Sequence, residues 1–348
     1  NRLQKNLPQY LTTGDRITLG QNGAEITFEL QPVVQPNQGT VVANNPSPQN
    51  NNNNNNSNVT FTQLFPFAST GKDLINKAYL IPGIITVTFV ILMFASINTP
   101  RFNIVLGSYL AGAAYYFVYT LCGKYKPWWV LISSMFMTGI ILVSPLLRIF
   151  IHVFREILPG NIQITSETSV TSLFIAMFFG AGLMEELIKA LPIFFFFILG
   201  KISGSDKIGV IEPLDGILIG TASAVGFTLL ETLGQYVPQI IDRGGELAGL
   251  QLLIPRILGS VAGHMAYSGY FGYFIGLSAM KPAYGWLIIP IGYLTSSLLH
   301  ALWNTSSIIH IFVLTIVGII SYAFLVAAIL KARALSPTRS NNFATRIN

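Results

Sequence analysis

Residues 286–330 run for 45 positions without one charged side chain. As a single α-helix this stretch would be about 68 Å long, whereas the hydrocarbon core of a bilayer is about 30 Å thick. It therefore reads as two membrane spans joined by a turn, placed at Thr305-Ser306-Ser307. From Tyr79 onward the chain repeats this pattern, with apolar runs near 79–97, 102–122, 128–147, 171–199, 214–236, 255–279, 286–304 and 309–330. The expected fold class is an all-α polytopic membrane protein with about eight transmembrane helices. Composition agrees, because 51% of the residues are hydrophobic and 10% charged, against roughly a quarter charged in soluble domains.

The net charge is +6, yet the basic residues lie scattered between apolar runs. No basic stripe interleaved with aromatics is present, which argues against nucleic-acid binding. The single cysteine, Cys122, excludes an intramolecular disulfide and a Cys-based zinc cluster.

Residues 1–33 read as a short β segment: Arg16 to Leu19 and Ile26 to Leu30 alternate, and Gln21-Asn22-Gly23 is a hairpin signal. Residues 34–68 read as an Asn/Pro-rich disordered linker, with an unbroken asparagine run from Asn50 to Asn56. Residues 69–335 hold the spans, and 336–348 form a tail. With the amino-terminal part in the cytoplasm, eleven Lys and Arg residues fall on the inner side and five on the outer. The positive-inside bias thus puts both termini in the cytoplasm. No signal-peptide pattern precedes the first span. Arg148, His152, Arg155 and Glu156 share one helical face, either the wet end of the third span or a short helix on the outer surface.

Ionisable groups inside a bilayer are costly and mark functional sites by default. Four spans carry them: Glu185-Glu186 with Lys189; Phe227 and Glu231; His264 after Gly263; and His300 with Asn304. Glu185 and Lys189, four apart, could form a self-neutralising pair, which leaves Glu186 without a partner on its own helix. Asp215 reads as an interfacial cap and His310 as structural or solvent-facing. On the expected topology Glu231, His264 and His300 lie about 9–15 Å below the outer surface, with Glu185 and Glu186 nearer the midplane. Small residues (Gly216, Gly220, Ala224, Gly259, Gly263, Gly272, Gly276) let these helices approach closely. Three carboxylates at one depth need a counter-charge: Lys189, a shared proton or a divalent cation. Histidine nitrogens with glutamate oxygens make a reasonable zinc set, and no His-Glu-x-x-His helix is present.

Glu185-Glu186 with Lys189, Phe227 with Glu231 and Tyr236, Gly263-His264 followed by Gly269-Tyr270-Phe271-Gly272, and His300-Ala301-Leu302-Trp303-Asn304 resemble the four motifs of the PrsW family. These intramembrane proteases are related to the CAAX prenyl endopeptidases and bacteriocin-processing membrane proteins. The resemblance implies a hydrolase that clips a membrane-tethered protein, such as an anti-sigma factor, on its extracytoplasmic side. It implies that Glu185 and Glu186 activate water, that Glu231, His264 and His300 hold a metal (zinc) or the water itself, and that Asn304 steadies the oxyanion. The prenyl endopeptidases end their second motif in histidine, where this chain has Glu231. That leaves a metal site and a metal-free glutamate/histidine site both open. Residues 12–30 resemble the closing strands of a forkhead-associated domain, which implies a phosphoprotein partner. The rival reading is a proton- or ion-coupled transporter using the same buried residues; a further one is a scaffold whose site has lost its use. No internal repeat of the kind transporters show is apparent.

Overall fold

The computed structural model describes residues 16–18, 25–27, 80–97, 99–161, 165 and 168–343. The chain divides into two units, Asn1–Ser69 and Thr70–Asn348. In the first, strands β1 (Arg16–Thr18) and β2 (Glu25–Thr27) pair antiparallel, with Ile17 opposite Ile26. The expected hairpin turn at residues 21–23 and the linker 34–68 lie outside the described residues.

The second unit is helical: α1 (Leu80–Ser96), α2 (Arg101–Cys122), α3 (Trp128–Val143), α4 (Leu146–Ile151), α5 (Val170–Met177), α6 (Met184–Ser203), α7 (Pro213–Glu231), α8 (Val237–Arg256), α9 (Ala262–Met280), α10 (Gly285–Ile309) and α11 (Ile311–Leu335). Among the described residues, four helical runs are long and apolar enough to cross a membrane: Arg101–Cys122, Pro213–Met280, Pro282–Ile309 and Ile311–Leu335. The bent pair Trp128–Val143 and Leu146–Ile157 makes a fifth. Length and apolarity alone therefore do not reach the expected eight. One reason is that Pro213–Met280 contains two of the expected spans, α7 and α9, folded back against each other.

Helix α7 is the axis of the bundle. Every residue from Pro213 to Thr228 is buried, as befits a helix that is apolar all round. Helices α2, α3, α6, α9 and α11 pack around it. Its tightest neighbour is α9: a Cβ at Gly216 would collide with the carbonyl oxygen of Gly272, and one at Gly272 with that of Gly216. Backbone-to-backbone approach at these glycines sets the height of α9, and hence of His264, against α7. Polar clips fix the other sides, with Tyr115 donating to Leu218 O (3.1 Å), Ser134 to Ile219 O (2.9 Å) and Ser223 to Lys189 O (2.8 Å).

Four expectations are corrected, the last of them at Asp215 below. The uncharged stretch turns at His310, not at residues 305–307. His310 is extended and its Nδ1 accepts from Phe312 N, capping α11; Ser307 instead folds its hydroxyl back onto Asn304 O (2.7 Å) and stays helical. Residues 237–254, left between two expected spans, belong to a helix, α8, broken only at Gly245, whose φ of 80° suits glycine. The shared face of Arg148, His152, Arg155 and Glu156 is split. Residues 146–157 bend 70° away from α3 after Pro145, and a π-type turn at His152–Ile157 rotates Arg155 inward, while His152 and Glu156 pair on the surface.

At one end of the bundle Lys124, Lys126, Glu212 and Asp215 form a buried ionic network. Lys124 pairs with Glu212 and with Asp215 (2.8 Å), and Lys126 with Asp215 (3.0 Å) and with the carbonyl of Gly209. Asp215 also accepts from Ile211 N (3.0 Å), so it is a network member rather than a simple interfacial cap. The segment after α11 closes over it: Thr338 donates to Glu212, Phe343 N donates to Gly123 O, and the Phe343 ring packs on Tyr119 and Tyr125. Exposed Tyr125, Trp128, Trp129, Tyr284 and Trp286 belong to the same end, as in an interfacial aromatic belt.

Candidate active site

Three π-type turns abut the ionisable residues. Phe178–Leu183 leads directly into Glu185-Glu186, Thr232–Tyr236 follows Glu231, and Ile257–Val261 precedes His264. Such turns insert a residue, re-aim the side chains beyond them and leave carbonyls without a helical donor. Those carbonyls are answered from outside: Arg155 donates through Nε and Nη2 to Gly180 O (3.1 and 3.0 Å), and Tyr293 donates to Leu183 O (2.8 Å). The start of α6 is thus clamped by the π-type turn after α4 and by α10.

Glu186 is fully buried and fully engaged. Its Oε1 accepts from Lys189 Nζ (2.5 Å) and His300 Nδ1 (2.9 Å), and its Oε2 accepts from Ser268 Oγ (2.8 Å). It therefore has a partner on its own helix after all, one residue nearer than the four-residue spacing considered above. The pairing of Lys189 with Glu186 leaves Glu185 without that counter-charge. Lys189 also lies 2.8 Å from His264 Nδ1 and 4.7 Å from the centre of the Phe227 ring.

Both histidines spend Nδ1 on these partners and turn Nε2 the other way. His300 Nε2 lies 3.6 Å from Glu185 Oε2, and His264 Nε2 lies 3.6 Å from Glu231 Oε2. Neither of those carboxylate oxygens has a hydrogen-bond partner, although both are buried. Buried oxygens without donors are costly, and here they converge with two ring nitrogens. One ligand atom each from Glu185, His264 and His300 lie within 4.8 Å of one another. Ligand atoms about 2.0–2.2 Å from a tetrahedral zinc stand about 3.3–3.6 Å apart, so this donor set is compatible with such an ion once its side chains draw closer together. At His300 the donation from Nδ1 to Glu186 leaves Nε2 bare, as a ligand must be. At His264, Nδ1 accepts from the Lys189 ammonium, so Nε2 carries the proton of the neutral ring and would release it on binding a metal.

Glu231 stands beside this trio. Arg256 Nη2 is 3.3 Å from its Oε2, and the Arg256 guanidinium lies 3.3 Å above the Tyr236 ring. A cavity of about 770 Å³ opens on the group. Its polar lining includes Arg155, Glu185, Glu231, Arg256, His264 and Asn304; Leu142, Met184, Ile188 and Phe227 make an apolar wall. Sequence reasoning did not single out Arg155 or Arg256 for the site. Arg256 could have been noticed two turns ahead of His264; Arg155 is turned inward by a π-type turn that its spacing does not announce.

The model of the PrsW family intramembrane metalloproteases matches residues 126–329. The chain belongs to this family. Protease PrsW of Oceanobacillus iheyensis is 27% identical over 179 residues, which cover 51% of this chain and 70% of that protein. No solved structure matches. The PrsW match spans every ionisable residue of the site, and the protein is an intramembrane protease, a hydrolase acting on peptide bonds in an integral membrane setting. Family membership implies a metal, and the Glu185, His264 and His300 donor set is compatible with one. The transporter alternative is not favoured.

Proposed function

We propose that this protein cuts a peptide bond of a membrane-tethered substrate, with Glu185, His264 and His300 holding a divalent metal, zinc by its donor chemistry. The observation that carries the reading is that one ligand atom each from Glu185, His264 and His300 lies within 4.8 Å of the others, with Glu185 Oε2 left unpartnered beside the cavity. When bound, the metal supplies Lewis acidity, which makes water nucleophilic near neutral pH and polarises the scissile carbonyl. Glu231, outside that trio and paired with Arg256, takes the proton of the attacking water at Oε2 and passes it to the leaving amine. The Asn304 amide donates to the carbonyl oxygen as its charge develops. Glu186 acts on His300 through Nδ1 and does not reach the substrate. The sequence resemblance gave water activation to Glu185 and Glu186 and ligation to Glu231; the observed distances support exchanging Glu185 and Glu231.

The lysine- and aromatic-rich end is read as cytoplasmic, with both termini there. The cavity then belongs to the outer half of the bilayer, and the substrate is a single-span protein of the anti-sigma-factor type, cut on its extracytoplasmic side. The amino-terminal segment is read as part of a phosphopeptide-binding module. The test co-expresses the full chain with membrane-tethered reporter substrates carrying different juxtamembrane segments. Wild type releases a reporter fragment and Glu185→Gln releases none; equal release by both contradicts the proposal.

A further inference from the structure

Within the site one large side chain has no part in the chemistry above. Tyr267 is completely buried on α9, one turn beyond His264. Its ring stacks on that of His300, 15° from parallel at a centroid distance of 5.0 Å, and meets His264 edge-on at 6.3 Å. The two imidazoles are themselves perpendicular, 4.8 Å apart. The Tyr267 hydroxyl faces Ser321, whose own hydroxyl donates to Val317 O. A Cβ at Gly263 would stand 3.0 Å from the Tyr267 hydroxyl and press the ring aside by a few tenths of an ångström.

We infer that Tyr267 is a positioning residue that sets the ring plane of His300, and through it the metal-binding direction of Nε2. This rests on the metal reading given above. The hydrogen bond from Nδ1 to Glu186 fixes one point of the imidazole but leaves it free to swing about that bond. The stacked phenol ring blocks the swing, because any tilt drives the imidazole edge into the Tyr267 face. Two constraints at right angles hold Nε2 toward Glu185: one hydrogen bond in the plane and one aromatic face above it. His264 is braced by the same ring from the side. Residues 263, 264, 267 and 268 thus form a single functional face of α9 that supplies, in turn, space, a ligand, a brace and a donor to Glu186.

The test measures zinc dissociation constants by chelator competition on the detergent-purified full chain. Tyr267→Leu removes the stack and is expected to weaken zinc binding about ten-fold or more, the scale of outer-shell losses at metal sites. Tyr267→Phe keeps the face and loses only the hydroxyl, so its affinity stays within about two-fold of wild type. Phe271→Leu is the control for core damage, one turn further on and stacked on Tyr293 instead; it too stays within about two-fold. If Tyr267→Leu does not fold, Gly263→Ala, which pushes the ring, is expected to weaken zinc binding in the same direction. Wild-type affinity in Tyr267→Leu, or in Gly263→Ala where that variant stands in, overturns the inference, as does an equal loss in Phe271→Leu. A wild type that binds no zinc overturns the metal reading itself and the inference with it, which separates the two failures.

Discussion

Two clusters of buried charge lie at opposite ends of this bundle, and they are built for different ends. In the first, Lys124 and Lys126 answer Glu212 and Asp215 one for one, with backbone groups and Thr338 taking further contacts, and Glu212 Oε2 is its one carboxylate oxygen left without a partner. In the second, Lys189 answers Glu186 and Arg256 answers Glu231, but Glu185 accepts no hydrogen bond through Oε2 and both Nε2 atoms face carboxylate oxygens at 3.6 Å. The first ties two loops and the carboxyl-terminal segment together. The second keeps donors in reserve beside a cavity of about 770 Å³. Burial of charge is common to both, so it does not mark a site; convergent donors left without partners do.

This contrast can be broken at its strongest point first. Glu231→Gln is expected to lower cleavage about 10²–10⁴-fold, the scale of a lost general base, while metal binding is retained. Glu185→Gln should lose both. Metal loss in Glu231→Gln, with retention in Glu185→Gln, would reverse the two roles.

The opposite cluster should fail in stability alone. Lys126→Met leaves Asp215 and the Gly209 carbonyl short of a donor, and unfolding in detergent is expected to become easier by about 3–5 kcal/mol. Cleavage per folded molecule stays unchanged; a matching loss of turnover would mean the two clusters are coupled. Between these extremes lies Ser268→Ala, which removes one charge-assisted hydrogen bond to Glu186. It should cost about 1.5–3 kcal/mol and move the metal affinity less than Tyr267→Leu does.

The smallest effect is one of pH. Burial pushes the Lys126 ammonium below its ordinary 10.5, against the opposing pull of Asp215. The unfolded chain then binds this proton more tightly than the folded one, so the stability contributed by Lys126 rises as pH climbs from its folded value toward 10.5. The deficit of Lys126→Met should accordingly widen with rising pH across that window. A deficit that narrows would contradict this sign.

Much of the fold was legible in the sequence because bilayer thickness acts on single segments. Runs of apolar residues gave the helices, Gly216 and Gly272 gave the close approach of α7 and α9, and the four ionisable motifs gave the residues that meet at the site. What escaped depends on distance in sequence or on local backbone irregularity. Lys126 meets Asp215 across 89 positions, which no periodicity reports. The π-type turns shift register by a residue, which hid the inward aim of Arg155. Residues 237–254 fell between two expected spans, although tertiary packing of Val237, Gly249 and Leu253 holds them helical. The partner of Glu186 was missed because three- and four-residue spacings are both neighbours on a helix, and packing alone chose between them.

The most direct measurement is the metal content of the detergent-purified full chain, for wild type, for His264→Ala with His300→Ala, and for Lys124→Met as the control at the opposite end. The account predicts about one divalent ion per chain in wild type and control, as for a single three-ligand site, and none in the double variant. Metal-free wild type, or metal kept by the double variant, would contradict it.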